Sequence, residues 1–577
     1  MTTDGRLDHK PDEDAAGGPA GAPPEDEVAG DEVAGGSAGR RGVRRVAVWV
    51  MTVLAALLVL FALIAPTRVD QLTPAAFVRI PVEVFFGVAV ILVLPARLRR
   101  VVVTLAGLAL GAVTIVKIAD LGFSEFLDRP FDLVLDWTLL QDGVEFLGSS
   151  VGQAGAIGTV VGVVVLLVAV LVLMTLSVLR LTRLAVRHDT VAAGGATALG
   201  AVWVTCAVFG AQIVPGVPVA SKGAVGLVYR HAAQVRAGLR DQKVFAAQAA
   251  VDAFRNTPGK DLLTGLRGKD VVVAFVESYG RSAVEDPQLA PRVDAVLDAG
   301  TRRLAAAGFS SRSAFLTSPT YGSGSWLAHS TLMSGLWINN QQRYRTLVAS
   351  DRLTLNGAFR RASWRSVAVV PGVTRAWPES SFFGFDKIYT SRDFGYHGPR
   401  FSWATMPDQY TLSTFQRLER AAPGHAPIMA EMPLLSSHAP WAPLPKEVGW
   451  NELGDGTIFN AQAAAGSRPK TVWHDRNRIR AAYRQSVEYS LGSLISYVQT
   501  YGDDNLVLVF LGDHQPGRVV TGDNASRDVP ITLVARDKAV LDRISGWGWQ
   551  DGLNPGPAAP VWKMSAFRDQ FLTAFGR

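Results

Sequence analysis

The sequence predicts a multi-span α-helical membrane domain followed by an α/β domain with a mostly parallel central sheet. Three observations predict it. Residues 43–215 contain five apolar segments separated by short basic or acidic stretches. Residues 260–577 alternate apolar runs of strand length with helical stretches. Two of those runs, far apart in the chain, end in side chains that ligate metals.

At 577 residues the chain exceeds one ordinary domain. Residues 1–42 are rich in Gly, Ala, Pro, Asp and Glu and lack aromatics, so a disordered cytoplasmic tail is expected there. The apolar segments of the membrane domain, 43–215, are 46–65, 77–96, 101–119, 156–179 and 191–214. Each is long enough for a transmembrane helix, for which about 18 apolar residues suffice. The weakest is 77–96, where Arg79 and Glu83 either pair and snorkel or mark the membrane boundary.

Arginines orient the bundle. They cluster before the first span, between the second and third, and between the fourth and fifth, while the loop 120–155 is mainly acidic. The positive-inside rule places the N-terminus in the cytoplasm, and five spans leave everything after about residue 215 outside a plasma membrane. The net charge of +7 is accounted for largely by these arginines. With the following domain exported, it argues against a nucleic-acid partner. The single cysteine lies in an apolar span, so no intramolecular disulfide is possible.

Residues 216–259 form a juxtamembrane connector. An amphipathic helix is expected over 221–254, lying on lipid headgroups or on the next domain. Within 260–577, strands are expected at 271–276, 366–370, 427–431, 506–510 and 530–535, and helices at 291–307, 327–333 and 476–500. The chain contains no internal repeat and no glycine-rich nucleotide fingerprint.

Chemistry concentrates at two strand ends. The run 506–510 leads into Leu511-Gly512-Asp513-His514-Gln515-Pro516, and the run 271–276 into Glu277-Ser278-Tyr279-Gly280. Open parallel sheets bind ligands at such C-terminal tips. Glu277, Asp513 and His514 therefore read as one metal site assembled from distant segments. Between them, the Gly/Ser turn Tyr321-Gly322-Ser323-Gly324 leads into a helix opening at Ser325. A hydroxyl there faces unpaired backbone N–H groups and a positive dipole end, which suits an anionic phosphoryl or sulfuryl group. Serine is also a common N-cap, so this motif alone does not assign a nucleophile. His329, one turn further on, either reaches the site or packs beneath it. Trp326, Trp337, Trp441 and Trp450 either frame a sugar or glycerol pocket or belong to the core.

The ordered set Glu277, Ser325 ten residues before Gly335, Ser436-Ser437-His438, and Gly512-Asp513-His514 resembles the alkaline phosphatase superfamily. The match is nearest to its sulfatase-like membrane phosphoglycerol transferases, related to lipoteichoic acid synthases. It covers about residues 43–540 in layout and 269–535 in motifs. The resemblance implies an alkaline-phosphatase-like (sulfatase-like) fold, with Glu277, Asp513, His514 and the Ser325 hydroxyl as metal ligands. It makes Ser325 the nucleophile and His438 a contact to the substrate phosphate. Arg343 or Arg392, with His329, would help hold the phosphate. Formylglycine sulfatases need Pro and Arg two and four positions after the nucleophile; here Leu327 and His329 stand there, which favours an unmodified hydroxyl. Bimetallic members add an Asp and two His. Only Asp528 is a candidate here, so one metal is expected.

Oxygen ligands with one imidazole suit manganese or magnesium, with zinc compatible. The expected activity is transfer of a phosphoglycerol-like group from a membrane lipid donor to a glycan, glycerol or lipid acceptor of the cell envelope. The alternative is a hydrolase of phosphate or sulfate esters that uses water as acceptor.

Overall fold

A computed structural model of the chain describes residues 34–577, apart from 128 and 375. The expected tail lies outside the described residues as far as residue 33, and the first helix, α1 (Ala34–Ile64), is described from Ala34. The apolar bundle continues with α2 (Val82–Val93), α3 (Ala96–Leu127), α4 (Trp137–Arg187) and α5 (Asp189–Val208). Among the described residues, four stretches are long and apolar enough to cross a membrane: Val43–Ile64, Ala96–Glu125, Gln153–Arg187 and Asp189–Val208.

The remaining expected span is shorter than its apolar run. Pro81 and Pro95 confine α2 to 12 residues, because proline lacks the N–H a helix interior needs and disfavours helical backbone before it. Leu94, ahead of Pro95, is extended at ψ 139°. At 1.5 Å per residue α2 is roughly 18 Å long, against about 30 Å of hydrocarbon.

Its two ends nevertheless point to opposite ends of the bundle. Ile80 pairs with Ala220, just beyond α5. Past Pro95 the chain enters α3, which packs antiparallel on α4; a Cβ on Gly107 would lie 2.7 Å from Thr175 Cα, and one on Gly111 3.0 Å from Leu171. Arg180 of α4 donates to Val48 O at 2.6 Å near the start of the apolar stretch of α1, while Lys117 of α3 donates to Ala65 O at 2.9 Å just past the end of α1. The arginines at 44–45, 97–100 and 180–187 thus share one end of the bundle, and the rest of the chain leaves from the other.

Helix α6 (Gly223–Ala250) is the expected amphipathic connector. Its first half packs on the bundle, with His231 Nε2 3.1 Å from the buried Asp120 and Gln234 donating to Asp132 at 3.1 Å. Its second half belongs to the α/β domain, where Phe245 and Ala249 are buried in the core.

That domain is built on nine strands: β1 (Asp270–Val276), β2 (Ser310–Thr317), β3 (Arg365–Val370), β4 (Lys387–Thr390), β5 (Ile428–Leu434), β6 (Leu506–Gly512), β7 (Asp528–Ala535), β8 (Gln550–Asp551) and β9 (Val561–Lys563). The order is β8-β2-β7-β6-β1-β5-β3-β4, with β9 also on β2. The half from β6 to β4 is parallel, and β7 runs antiparallel to both β6 and β2. Strands β1 and β6 are buried at every position, as their unbroken apolar runs require of a sheet covered on both faces. One face carries α7 (Ala290–Ala306) and α12 (Arg476–Tyr501); the other carries α8 (Ser325–Ser334), α10 (Leu355–Arg361) and α13 (Phe567–Phe575).

The link from α6 is locked into the α/β domain by charge. The Asp252 side chain, fully buried, lies 2.9 Å from Arg568 of α13 and 3.5 Å from Arg352. Arg352 in turn donates to Ser334 O, at the end of α8, at 2.9 Å.

Candidate metal and nucleophile site

The register of three adjacent parallel strands builds the site. Gly512 of β6 pairs with Val276 of β1, and Val276 pairs with Leu434 of β5. The residues that follow therefore leave the sheet at one level: Asp513 and His514 from β6, Glu277 from β1, and the loop carrying His438 from β5. Only glycine fits at 512, because a Cβ there would lie 1.8 Å from Tyr279 O. Ser278 takes a left-handed φ of 58°, a conformation that costs a non-glycine residue on the order of 1–3 kcal/mol. Its bonds hold it there: the N–H donates to Asp513 Oδ1 at 2.8 Å, Oγ to Glu277 Oε1 at 3.1 Å, and its carbonyl accepts from Tyr483 at 2.9 Å.

Ser325 arrives at the start of α8. Gly324 before it adopts φ +84°, which turns the chain into the helix without a Cβ penalty. Ser325 Oγ donates to Glu277 Oε2 at 2.9 Å and lies 3.3 Å from His514 Nε2. His514 Nδ1 is 2.8 Å from Gln515 O, which can only accept, so Nδ1 carries a hydrogen and Nε2 faces Ser325 and Glu277. One atom from each of Glu277, Asp513 and His514 lies within 4.8 Å of the others, and all three residues are buried.

This arrangement fits a divalent cation. Asp513 Oδ2 is buried without a hydrogen-bond donor, a costly state for a carboxylate oxygen unless a cation faces it. Burial pushes the Asp513 carboxyl up to about 6, and the neighbouring Glu277 adds to the effect. Burial acts to lower the His514 imidazole, but Asp513 and Glu277 together raise it. Two carboxylates, one imidazole and one hydroxyl make a donor set for manganese, magnesium or zinc.

The other expected residues divide. His438 is close enough to feel the charges of His514 and Asp513, and burial lowers its pKa. Its ring stacks on Trp403 at 3.9 Å, and Nδ1 lies 2.6 Å from Ala439 O, leaving Nε2 to offer a substrate. His329 sits beneath the site, stacked on Phe275 at 3.8 Å, with Nδ1 3.9 Å from Glu431; burial lowers its pKa to about 4. Arg343, on α9 (Gln341–Val348), is held by Asp241 of α6 at 2.6 Å and by Trp337 O at 2.7 Å, and it does not join the cluster. Arg392 is exposed on the turn after β4. Asp528 bonds Arg281 at 3.1 Å and Thr317 at 2.8 Å, apart from the three ligands.

Of the four tryptophans considered from sequence, Trp441 is buried in the core and Trp450 packs on Tyr497 and Tyr501. Trp326, next to Ser325, is 39% exposed. Trp403, equally exposed, carries no sequence signal because its role comes from stacking on a loop distant in the chain. Ser278 and Gln515 stand inside the two motifs, and their flanking positions were the available clue.

No family model matches the chain, and no curated protein does. Among solved structures it is similar to the lipoteichoic acid synthase LtaP from Listeria monocytogenes, at 15% identity over 54% of this chain and 73% of that one, with a TM-score of 0.36. It is similar to a protein in the alkaline phosphatase superfamily from Vibrio parahaemolyticus, at 15% identity over 58% and 74%, TM-score 0.36. A third is the Streptococcus pyogenes phosphoglycerol transferase GacH in complex with sn-glycerol-1-phosphate, at 13% identity over 59% and 91%, TM-score 0.34. Likeness at this level assigns neither substrate nor residue roles.

Proposed function

We propose that this chain is a membrane-anchored, metal-dependent phosphotransferase of the alkaline phosphatase superfamily that moves a phosphoglycerol-like group from a lipid donor to a cell-envelope acceptor through a phospho-Ser325 intermediate. The observation that carries the proposal is the Ser325 hydroxyl, 2.9 Å from Glu277 and 3.3 Å from His514 at the start of α8. A divalent cation held by Glu277, Asp513 and His514 would lower the pKa of that hydroxyl and offset phosphoryl charge.

The chain's own groups supply the rest. The hydrogen bond to Glu277 fixes the Ser325 rotamer, and the first turn of α8 presents backbone N–H groups to a developing oxyanion. Ser325 Oγ forms a bond to phosphorus as the bond to the lipid alkoxide breaks; the serine proton passes to solvent, and the alkoxide takes a proton from solvent. The acceptor alcohol reverses these steps. Nε2 of His438, its ring held by Trp403, contacts a non-bridging oxygen. With the arginine-bearing end of the bundle cytoplasmic, the site faces the outer leaflet, where a lipid donor is within reach.

The test is incubation of full-length protein and manganese with labelled phosphatidylglycerol and with a nitrophenyl phosphodiester, followed by peptide mapping. The expected adduct is on Ser325. Label on Thr320 or Ser323, or turnover by Ser325→Ala, would reject the assignment. Release of the group only to water, with glycan and glycerol acceptors present, would favour a hydrolase.

A further inference from the structure

A second recognition site adjoins the catalytic one. Between the α3–α4 loop of the bundle and the turn that carries Ser325 lies a cavity of about 220 Å³. Its wall includes Arg129 from the bundle loop, Arg527 from the segment before β7, Asn339, Gln341 and Trp326. Among the described residues, no acidic side chain lines it.

The donors in that wall have capacity to spare. Arg527 makes one side-chain hydrogen bond among the described residues, to Pro319 O at 3.0 Å, and its charge has no acidic partner there. Gln341 Oε1 accepts from Trp326 Nε1 at 3.1 Å, which leaves its amide hydrogens available. Asn339 Oδ1 accepts from Asn340 at 3.2 Å, leaving its own amide hydrogens available as well. Arg129 is braced by Asp136 through two bonds of 2.6 Å, so it is held in place while its remaining N–H groups stay usable.

Position selects the ligand. Arg129 lies beside an aromatic cluster at the exit end of the bundle: Phe131 meets Phe123 at 4.9 Å and Trp137 at 5.7 Å, and Trp137 is exposed. Aromatic side chains of this kind sit at the headgroup level of a bilayer. A donor-rich cavity at that level, with no acidic side chain among its described lining residues and walled on one side by the residue next to Ser325, matches an anionic phospholipid headgroup.

We infer that this cavity holds the headgroup of an anionic glycerophospholipid, shared between the membrane domain and the catalytic domain, and so presents lipid to Ser325. The inference rests on the phosphotransfer reading for its purpose but not for its test. Full-length Ser325→Ala protein, with chelator present, is exchanged into mixed detergent micelles of phosphatidylglycerol and phosphatidylcholine, and retained lipid is counted by native mass spectrometry. Preferential retention of phosphatidylglycerol is expected. Arg527→Glu and the cavity-filling Asn339→Trp should each reduce it about tenfold, and Arg527→Lys should restore most of it. Circular dichroism and monodispersity identify a variant that has not folded, and the other variant then decides. Retention unchanged in both variants, equal retention of the two lipids, or displacement by millimolar inorganic phosphate would overturn the inference. A failed serine adduct would reject the proposed function and leave this measurement intact.

Discussion

Glu431 of β5 is a carboxyl that the fold keeps protonated. Burial raises it from its ordinary 4.5 to about 7, against a smaller opposing effect of the Asn356 amide, which donates to Oε2 at 2.7 Å. In the folded protein the proton therefore stays on at pH values where the unfolded chain has lost it. Stability contributed at this position falls as pH rises from about 4.5 and levels off above about 7. At 1.36 kcal/mol per pH unit, the gap is roughly 3 kcal/mol. Glu431→Gln removes the titration and keeps the bond from Asn356. It also offers an amide hydrogen to Asn356 Oδ1, which is buried without a donor. The variant should melt about 6 °C above the parent at pH 8.5, taking roughly 2 °C per kcal/mol, with the difference nearly closing by pH 5. Differential scanning of full-length protein at both pH values is the measurement. Melting curves that run parallel across that range, or a variant less stable at pH 8.5, would refute the burial argument.

Asp513→Ala and His514→Ala should each lose bound manganese together with activity, measured by metal analysis of the purified chain; stoichiometric metal in the double variant would show the cluster to be structural. Ser325→Ala should retain metal and fold while losing several orders of magnitude in turnover. Trp403→Ala removes the stack that fixes His438, and kcat/KM should fall roughly tenfold with metal content unchanged. A cysteine placed at 183 in a Cys206→Ser background should resist an impermeant thiol reagent on intact cells. Labelling there would invert the proposed orientation.

The grouping of Glu277, Asp513 and His514 was legible because Glu277 and the Asp513-His514 pair each follow a strand whose continuous apolar run announces full burial. Strands β1, β3, β5, β6 and β7 could be read for the same reason. Strand β2 escaped because Ser310, Ser311, Arg312 and Ser313 break its apolar pattern, and it joins the sheet through its antiparallel partner β7 rather than by its own hydrophobicity. The length of α2 was misjudged on hydropathy alone, although Pro81 and Pro95 stand in the sequence. Arg343 read as a phosphate ligand because charge near a serine motif is visible in a sequence, while Asp241, the carboxylate that holds it, comes from a helix that only folding brings near. Trp403 illustrates the same limit in aromatic form.

The Asp252 ion cluster decides where the α/β domain can be cut. A fragment starting at 260, the boundary suggested by composition, would discard Phe245 and Ala249 from the core and leave Arg568 and Arg352 without their buried counter-charge. Losing one partner of such a pair costs about 3–5 kcal/mol, a large share of what holds a domain of this size folded. A soluble fragment needs to begin upstream of Phe245, and the second half of α6 then travels with the α/β domain as part of it. The bundle and the α/β domain share that helix, so any protease that releases an intact α/β domain must cut on the bundle side of Asp241.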